Sequence, residues 1–420
     1  MILIRKFIYT LCVTLLLIPA TNTNAQIPPN DVKDLNQHPD SLAKQNVEPS
    51  RYPQKDLPEV VANLFHIHKT ASTKKDTITS KPTFSGLPAA GYTLVSKFAV
   101  TITGNAAFRM DSSAQISTVT SYVSYTQNKQ FLLPIQSDLW TKNNKYNLVG
   151  DIRFYAYPQS TFGLGSNSNI RDEDPMDYLY LRFYETVLRH VAGHFYAGAG
   201  YIIDYHADIT HKGPLDGAKS DFVAYGAESK TVAGGITLNA LFENRDNPIY
   251  PEKGYYGSVQ YRANLNFLGS SSKWKSLVID LRKYFRVPAS SDNVLAIWSY
   301  DWLILSGKPG YLDLPSNQWD AYSSTGRGYI QGRFRGAQEV YAETEYRFKI
   351  TRNGLFGGVV FINGQSYSAA PGTSLESIQP GYGAGLRVKL NKTSKTNISF
   401  DYGFGRQGSN GLFINIGEVF

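Results

Sequence analysis

Val340-Tyr341-Ala342-Glu343-Thr344-Glu345-Tyr346-Arg347-Phe348 decides the fold. Its even positions are Val340, Ala342, Thr344, Tyr346 and Phe348; the odd set, extended back by one residue, is Glu339, Tyr341, Glu343, Glu345 and Arg347. A period of two puts these sets on opposite faces of a β-strand. The same alternation recurs elsewhere. In Phe131–Trp140, Phe131, Leu133, Ile135 and Leu139 oppose Gln136 and Asp138. In Leu148–Ala156, Leu148, Ile152, Phe154 and Ala156 oppose Asn147, Asp151 and Arg153. In the last ten residues, Leu412, Ile414, Ile416 and Phe420 oppose Gly411, Asn415 and Gly417. Strands with one apolar and one charged face suit a wall between lipid and a wet interior, and a slip by one residue would carry charge into lipid.

Composition points the same way. The 420 residues include 29 Tyr, 22 Phe and 36 Gly, yet the mean hydropathy is only −0.29. No internal stretch is long and apolar enough for a membrane-spanning helix. Sixteen strands can be marked, roughly 82–91, 94–108, 115–126, 129–141, 145–157, 178–190, 194–205, 230–243, 254–268, 273–287, 291–306, 336–349, 355–366, 380–391, 395–406 and 411–420. The short links Lys142–Lys145, Ala192–His194 and Thr351–Gly354 fall on one side of this count. The long ones, Gln159–Asp177, Ala207–Lys230, Gly307–Arg335 and Ser368–Gln379, fall on the other. Short periplasmic turns, long outer loops and an even strand number define the expected fold: an all-β, 16-stranded antiparallel transmembrane β-barrel of the bacterial outer membrane. Its lumen should be wet or filled by loops.

The N-terminal region differs. Arg5 and Lys6, the apolar run Phe7–Ile18, and small residues up to Ala25 read as a secretory signal peptide over 1–25. Cys12, the one cysteine, lies inside it, so the mature chain has no thiol for disulfides or metal binding. Losing Arg5 and Lys6 takes the net charge from +8 to +6, scattered among acids, and no nucleic-acid module is recognisable. Residues 26–81 are expected to be a polar, mostly disordered periplasmic extension. Pro58–His68 could form one short helix, with Asp56 near its start. The barrel occupies 82–420.

Gly326-Arg327-Gly328-Tyr329-Ile330-Gln331-Gly332-Arg333-Phe334-Arg335-Gly336 precedes the twelfth strand, which carries Glu343-Thr344-Glu345-Tyr346-Arg347-Phe348. Here the chain resembles the BamA/TamA superfamily of outer-membrane assembly factors and two-partner secretion transporters, also called bacterial surface antigen barrels. In that family an Arg-Gly-aromatic loop tip folds back into the barrel; Arg327, Gly328 and Tyr329 stand at its place. The turn from Asn244-Arg245-Asp246-Asn247-Pro248 through Pro251-Glu252-Lys253-Gly254 resembles the family's periplasmic turn before the ninth strand, and Gly411–Phe420, ending in Phe420, its C-terminal assembly signal. The resemblance covers roughly 82–420. It implies that Arg327 locks the loop against lumenal partners. Glu343 and Glu345 point inward by alternation, and a guanidinium pairs well with carboxylates. Two departures stand out. Where the family has Phe-x-Asp-x-Gly on the thirteenth strand, this chain has Phe361-Ile362-Asn363-Gly364-Gln365, so Asn363 can accept a hydrogen bond but brings no charge. The family's assembly and secretion members also carry periplasmic POTRA domains, and residues 26–81 are too short and polar to hold a stack of them.

Other candidates have simpler readings. Asp204, His206, Asp208 and His211 are metal-ligand types at a strand end, but barrel mouths are rich in such residues. His66 and His68 lack a third ligand. Serines show no characteristic spacing to His190, His194, His206 or His211, so no enzyme and no cofactor are expected. Tyr122, Tyr125, Trp140, Tyr178 and Tyr180 are expected in aromatic belts at the membrane interface. The resemblance implies membrane-protein insertion or polypeptide translocation at a seam between first and last strands. A passive pore and a surface-exposed binding barrel are the alternatives. Expected partners are outer-membrane lipid and lipopolysaccharide, client outer-membrane proteins, and a periplasmic or lipoprotein partner, with no nucleic acid.

Overall fold

The computed structural model describes residues 53–64, 82–93, 96–215, 217, 219–321, 323–392 and 395–420. The expected signal peptide lies outside them, as does most of the 26–81 extension. The described part of that extension forms helix α1, Leu57–Leu64. Asp56 caps it, accepting the Glu59 amide at 3.1 Å, and Pro58 sits in the first turn, where its missing amide costs nothing. Residues 65–68 of the expected helix are not among those described. α1 rests on the barrel rim: the Lys392 amide donates to Asp56 at 3.2 Å and the Lys392 ammonium pairs with Glu59 at 2.7 Å.

Sixteen long strands follow: β1 (Thr83–Thr93), β2 (Lys97–Phe108), β3 (Ser117–Thr126), β4 (Phe131–Trp140), β5 (Tyr146–Ala156), β6 (Asp174–Ala192), β7 (Phe195–His211), β8 (Thr231–Glu243), β9 (Gly254–Asn264), β10 (Trp274–Arg286), β11 (Val294–Gly307), β12 (Gln338–Lys349), β13 (Phe356–Ser368), β14 (Gln379–Asn391), β15 (Thr396–Phe404) and β16 (Asn410–Ile416). Each pairs antiparallel with the next through a continuous ladder from β1 to β16. β1 and β16 lie side by side, but no ladder joins them among the described residues. The strand count and order match the sequence expectation. β6 and β7 run longer, to 19 and 17 residues, because their outer ends continue as a hairpin beside the short strand Gln159–Thr161.

The barrel is inside-out relative to a soluble protein. Phe98, Ile102, Val187, Leu238, Ile362 and Tyr382 are exposed on the outer wall, where lipid covers them. Arg153, Asp204, Arg282, Glu339, Arg347 and Asp401 are buried within. Backbone groups are satisfied strand to strand, as a hydrocarbon solvent requires. The parity read from Val340–Phe348 is confirmed: Glu339, Tyr341, Glu343, Glu345 and Arg347 are each at most 2% exposed.

The aromatic belt needs correction. Of its five members, only Tyr125 stands on the outer wall, 60% exposed. Trp140, Tyr178 and Tyr180 are buried in the lumen, and Tyr122 shares the inward parity of buried Ser124. Tyr178 and Tyr180 have the same parity as Arg182, so alternation outweighs the interfacial preference of an aromatic ring.

The periplasmic turn 244–254 is tied by Asp246, which accepts the Glu252 and Lys253 amides at 3.0 and 3.2 Å. Glu252 in turn binds Arg286 and Lys395. Burial alone would raise the Glu252 carboxyl, but these two cations outweigh it and hold the group below its usual range.

Candidate functional site

The connection between β11 and β12 does not stand out in solvent; it folds into the bore and touches opposite walls. On one side Gln136 of β4 and Arg153 of β5 donate to the Ala321 carbonyl at 3.2 and 2.8 Å. Trp319 packs edge-on to Tyr157 and Tyr180. On the other side lies Arg327, 2% exposed.

Arg327 bonds three carboxylates. It pairs with Glu343, with Glu345 at 2.6 Å and with Asp401 of β15 at 2.7 Å, and its guanidinium lies 3.8 Å from the centre of the Phe361 ring. The network continues from these acids: Arg347 holds Glu345 at 2.5 Å, and Arg387 holds Asp401 at 2.5 Å and Glu418 at 2.8 Å. Buried charges persist only when paired and hydrogen-bonded, and this set satisfies that condition across β12, β14 and β15 at once.

Glu343 and Glu345 are where alternation placed them. Asn363 plays a different part from the one expected. Its amide donates to the Arg327 carbonyl at 3.0 Å and to Glu343 at 3.3 Å, so it fastens the loop backbone and does not accept from the guanidinium. The charge missing from β13 comes from Asp401, which the sequence reading missed. Its inward parity, shared with Ser399 and Asn397, was available. Its proximity to Arg327 depends on barrel curvature and was not.

Gly328 has φ +104°, and a Cβ there would stand 2.6 Å from the Phe404 carbonyl. The loop backbone thus runs directly against β15, with Gly403 facing it: a Cβ on Gly403 would come within 2.7 Å of the Gly328 nitrogen. Tyr329 donates its hydroxyl to the Pro380 carbonyl at 2.6 Å and accepts from the Arg406 amide at 2.9 Å. Its ring meets Phe334, which stacks on Tyr367. Arginine, glycine and tyrosine therefore supply charge pairing, close approach and an aromatic anchor.

Residues 114–420 match the Omp85 superfamily domain. The chain belongs to this superfamily. Among solved structures, it is similar to BamA from Haemophilus ducreyi lacking POTRA domains 1–3, at 12% identity and a TM-score of 0.52, covering 80% of this chain and 70% of that one. It is also similar to CdiB from Acinetobacter baumannii, at 11% identity and a TM-score of 0.49, covering 80% of this chain and 59% of that one. At 12% identity the likeness to the BamA structure is one of fold. No curated protein matches the sequence. The protein is thus an Omp85 β-barrel of the bacterial outer membrane, among membrane lipids and outer-membrane proteins.

Within this Omp85 barrel Phe420 does not close the last strand. β16 ends at Ile416, Gly417 turns the chain at φ +105°, and the tail enters the lumen. Phe420 is 4% exposed and stacks on Trp298 with ring centres 5.0 Å apart, while its carbonyl accepts from Arg347 at 2.7 Å. Glu418 binds Arg387 and Asn397 at 2.8 and 2.7 Å. Extending the strand alternation through Gly417 misplaced this ring, because a left-handed glycine breaks the period. Phe420→Ala is expected to destabilise the folded barrel by ~3 kcal/mol, as cavity-forming aromatic truncations do. A thermal unfolding scan of variant against parent checks this, and an unchanged transition would refute the packing role.

The metal-ligand candidates do not converge. Asp204 is taken by Tyr180, Tyr184 and Arg262; His206 stacks on Tyr180; His211 bonds Asp174 at 2.5 Å. Among the described residues no set of three His, Cys, Asp or Glu is arranged to hold a metal. Ser220 donates to Asp174 and not to His211; it caps the short helix α2, Asp221–Tyr225, by accepting the Val223 amide. A nucleophilic serine must instead reach the histidine.

Proposed function

We propose that this Omp85 barrel is an assembly factor: it offers the β1–β16 seam as a template for the strands of incoming outer-membrane proteins, using no cofactor and no catalytic chemistry. The observation that carries this is the seam itself. Fifteen neighbouring pairs are laddered, and only β1 and β16 lie together without a ladder among the described residues. β16 is short, seven residues, and β1 carries Pro88, which cannot donate to a ladder and is normally confined to edge strands. A free strand edge in a membrane must find a partner, and strand addition supplies one. The lumen is crossed by a loop fixed to both walls, which fits a steady pore less well. In this reading the clients are outer-membrane proteins, lipopolysaccharide lies outside, and a periplasmic or lipoprotein partner works at the rim where α1 docks.

The test is a folding assay. The protein is reconstituted in liposomes and an unrelated outer-membrane barrel is added from urea. Folding several-fold faster than with an inert barrel, with the gain lost in Arg327→Ala, is the expected result. Folding no faster than with the inert barrel would overturn the reading.

A further inference from the structure

At the periplasmic rim several basic side chains have an acidic partner. Arg286 and Lys395 share Glu252, Lys349 pairs with Asp292, and Lys392 with Glu59. The β4–β5 and β6–β7 turns depart from this pattern. There Lys142, Lys145, Arg189 and His190, with Asn143, line one open hollow. Lys142 comes no closer than 3.8 Å to Asp111 Oδ2, with its side chain 73% exposed, while Asp111 Oδ1 accepts from the Ser113 amide and hydroxyl. Lys145 lies over the Tyr146 ring. Neither Lys145 nor Arg189 has a carboxylate within ion-pair distance among the described residues.

Arg189 settles which way the hollow faces. It is opposite Tyr146 on β5 and Ala197 on β7, and it shares the outward parity of Val187, which is 50% exposed on the lipid side; Val191, in the irregular end of the strand, is 59% exposed. The guanidinium therefore projects from the outer wall of the barrel within the last turn of strand before the periplasm, where acyl chains give way to headgroups. Lys142 and Lys145 sit just below it, in the turn. The nearest carboxylate on this wall of β6 is Glu185, four residues deeper and roughly 13 Å away along the strand. It lies beside Gly150 and Ser137, away from the hollow.

We infer that this hollow is a binding site for the phosphate of an anionic phospholipid in the periplasmic leaflet. Arg189 and the two lysines supply donors from above and below to a phosphodiester, and the exposed valines and Phe195 pack against the first methylenes of its chains. Selectivity for an anionic lipid follows from charge. Three cationic side chains, Lys142, Lys145 and Arg189, face a single nearby carboxylate, Asp111, so the hollow keeps a positive excess that a net-anionic headgroup neutralises and a zwitterionic choline headgroup does not. The site does not depend on the seam.

The experiment uses the full chain, purified in detergent and incorporated into nanodiscs of equal phosphatidylglycerol and phosphatidylcholine. Retained lipid is read by native mass spectrometry after removal of the bulk bilayer. Phosphatidylglycerol should be retained about tenfold over phosphatidylcholine, and K142Q/K145Q/R189Q should abolish the preference. K142R/K145R should keep it, and both variants should show the parent's β-sheet circular dichroism. Equal retention of the two lipids, or an unchanged preference in the triple glutamine variant, overturns the assignment. Displacement of the lipid by millimolar inorganic phosphate overturns it too, by making the site one for free phosphate.

Discussion

Arg327→Ala lowers the thermal unfolding transition of the reconstituted barrel far more than Arg333→Ala does. Both guanidiniums are buried, at 2% exposure each, so burial alone does not separate them. Their partners do. Removing Arg327 leaves Glu343, Glu345 and Asp401 deprived of a shared cation in the lumen. Stranding one buried charge costs roughly 3–5 kcal/mol, and the loss is partly relieved because Arg347 and Arg387 still hold Glu345 and Asp401. Glu343 keeps only neutral donors, from Tyr341 and Asn363. Arg333 bonds neutral acceptors: the Ser168 hydroxyl and carbonyl at 2.8 and 2.7 Å and Gln407 at 2.9 Å. Burial pushes its guanidinium down to about 10. Its loss should cost about 1.5–3 kcal/mol, the range for hydrogen bonds to a charged group. Circular dichroism melts of both variants and the parent decide the matter. Adding Glu343→Gln to Arg327→Ala should recover part of the loss, since it removes the carboxylate left most exposed to the deficit. Equal transitions for the two arginine variants would sink the loop lock.

The second large effect is expected at Gly328. A valine there meets two penalties: a left-handed backbone that branched residues rarely adopt, and a Cβ 2.6 Å from the Phe404 carbonyl, which belongs to a laddered strand and cannot yield. The loop must then withdraw from the wall, taking Arg327 out of reach of its acids. The expected outcome is cleavage of the 308–337 segment by protease added outside proteoliposomes, with the parent resistant. Gly354→Ala is the control. That glycine also has positive φ, +70°, but a Cβ there meets nothing within 4 Å, so the change costs only backbone strain, about 1 kcal/mol. If Gly328→Val resists protease as the parent does, the close approach does not hold the loop.

Much of this protein was legible along one dimension. A period of two reports faces directly, so the inward line of Glu339, Tyr341, Glu343, Glu345 and Arg347 follows from the sequence, as do the number and order of the strands and the long and short sides of the barrel. The family resemblance of the Arg-Gly-Tyr triplet implied a loop folded back into the barrel. The tertiary structure decided what lies across the bore. Asp401 is 74 residues from Arg327, and only curvature of the sheet brings it to the guanidinium. Phe420 left its strand because Gly417 broke the alternation, and its stacking on Trp298 depends on a lumen wide enough to admit the tail. The inward turn of Trp140, Tyr178 and Tyr180 shows the same division. Residue type suggests an environment, but parity within the strand fixes the face, and the curvature of the sheet determines which distant residues that face meets.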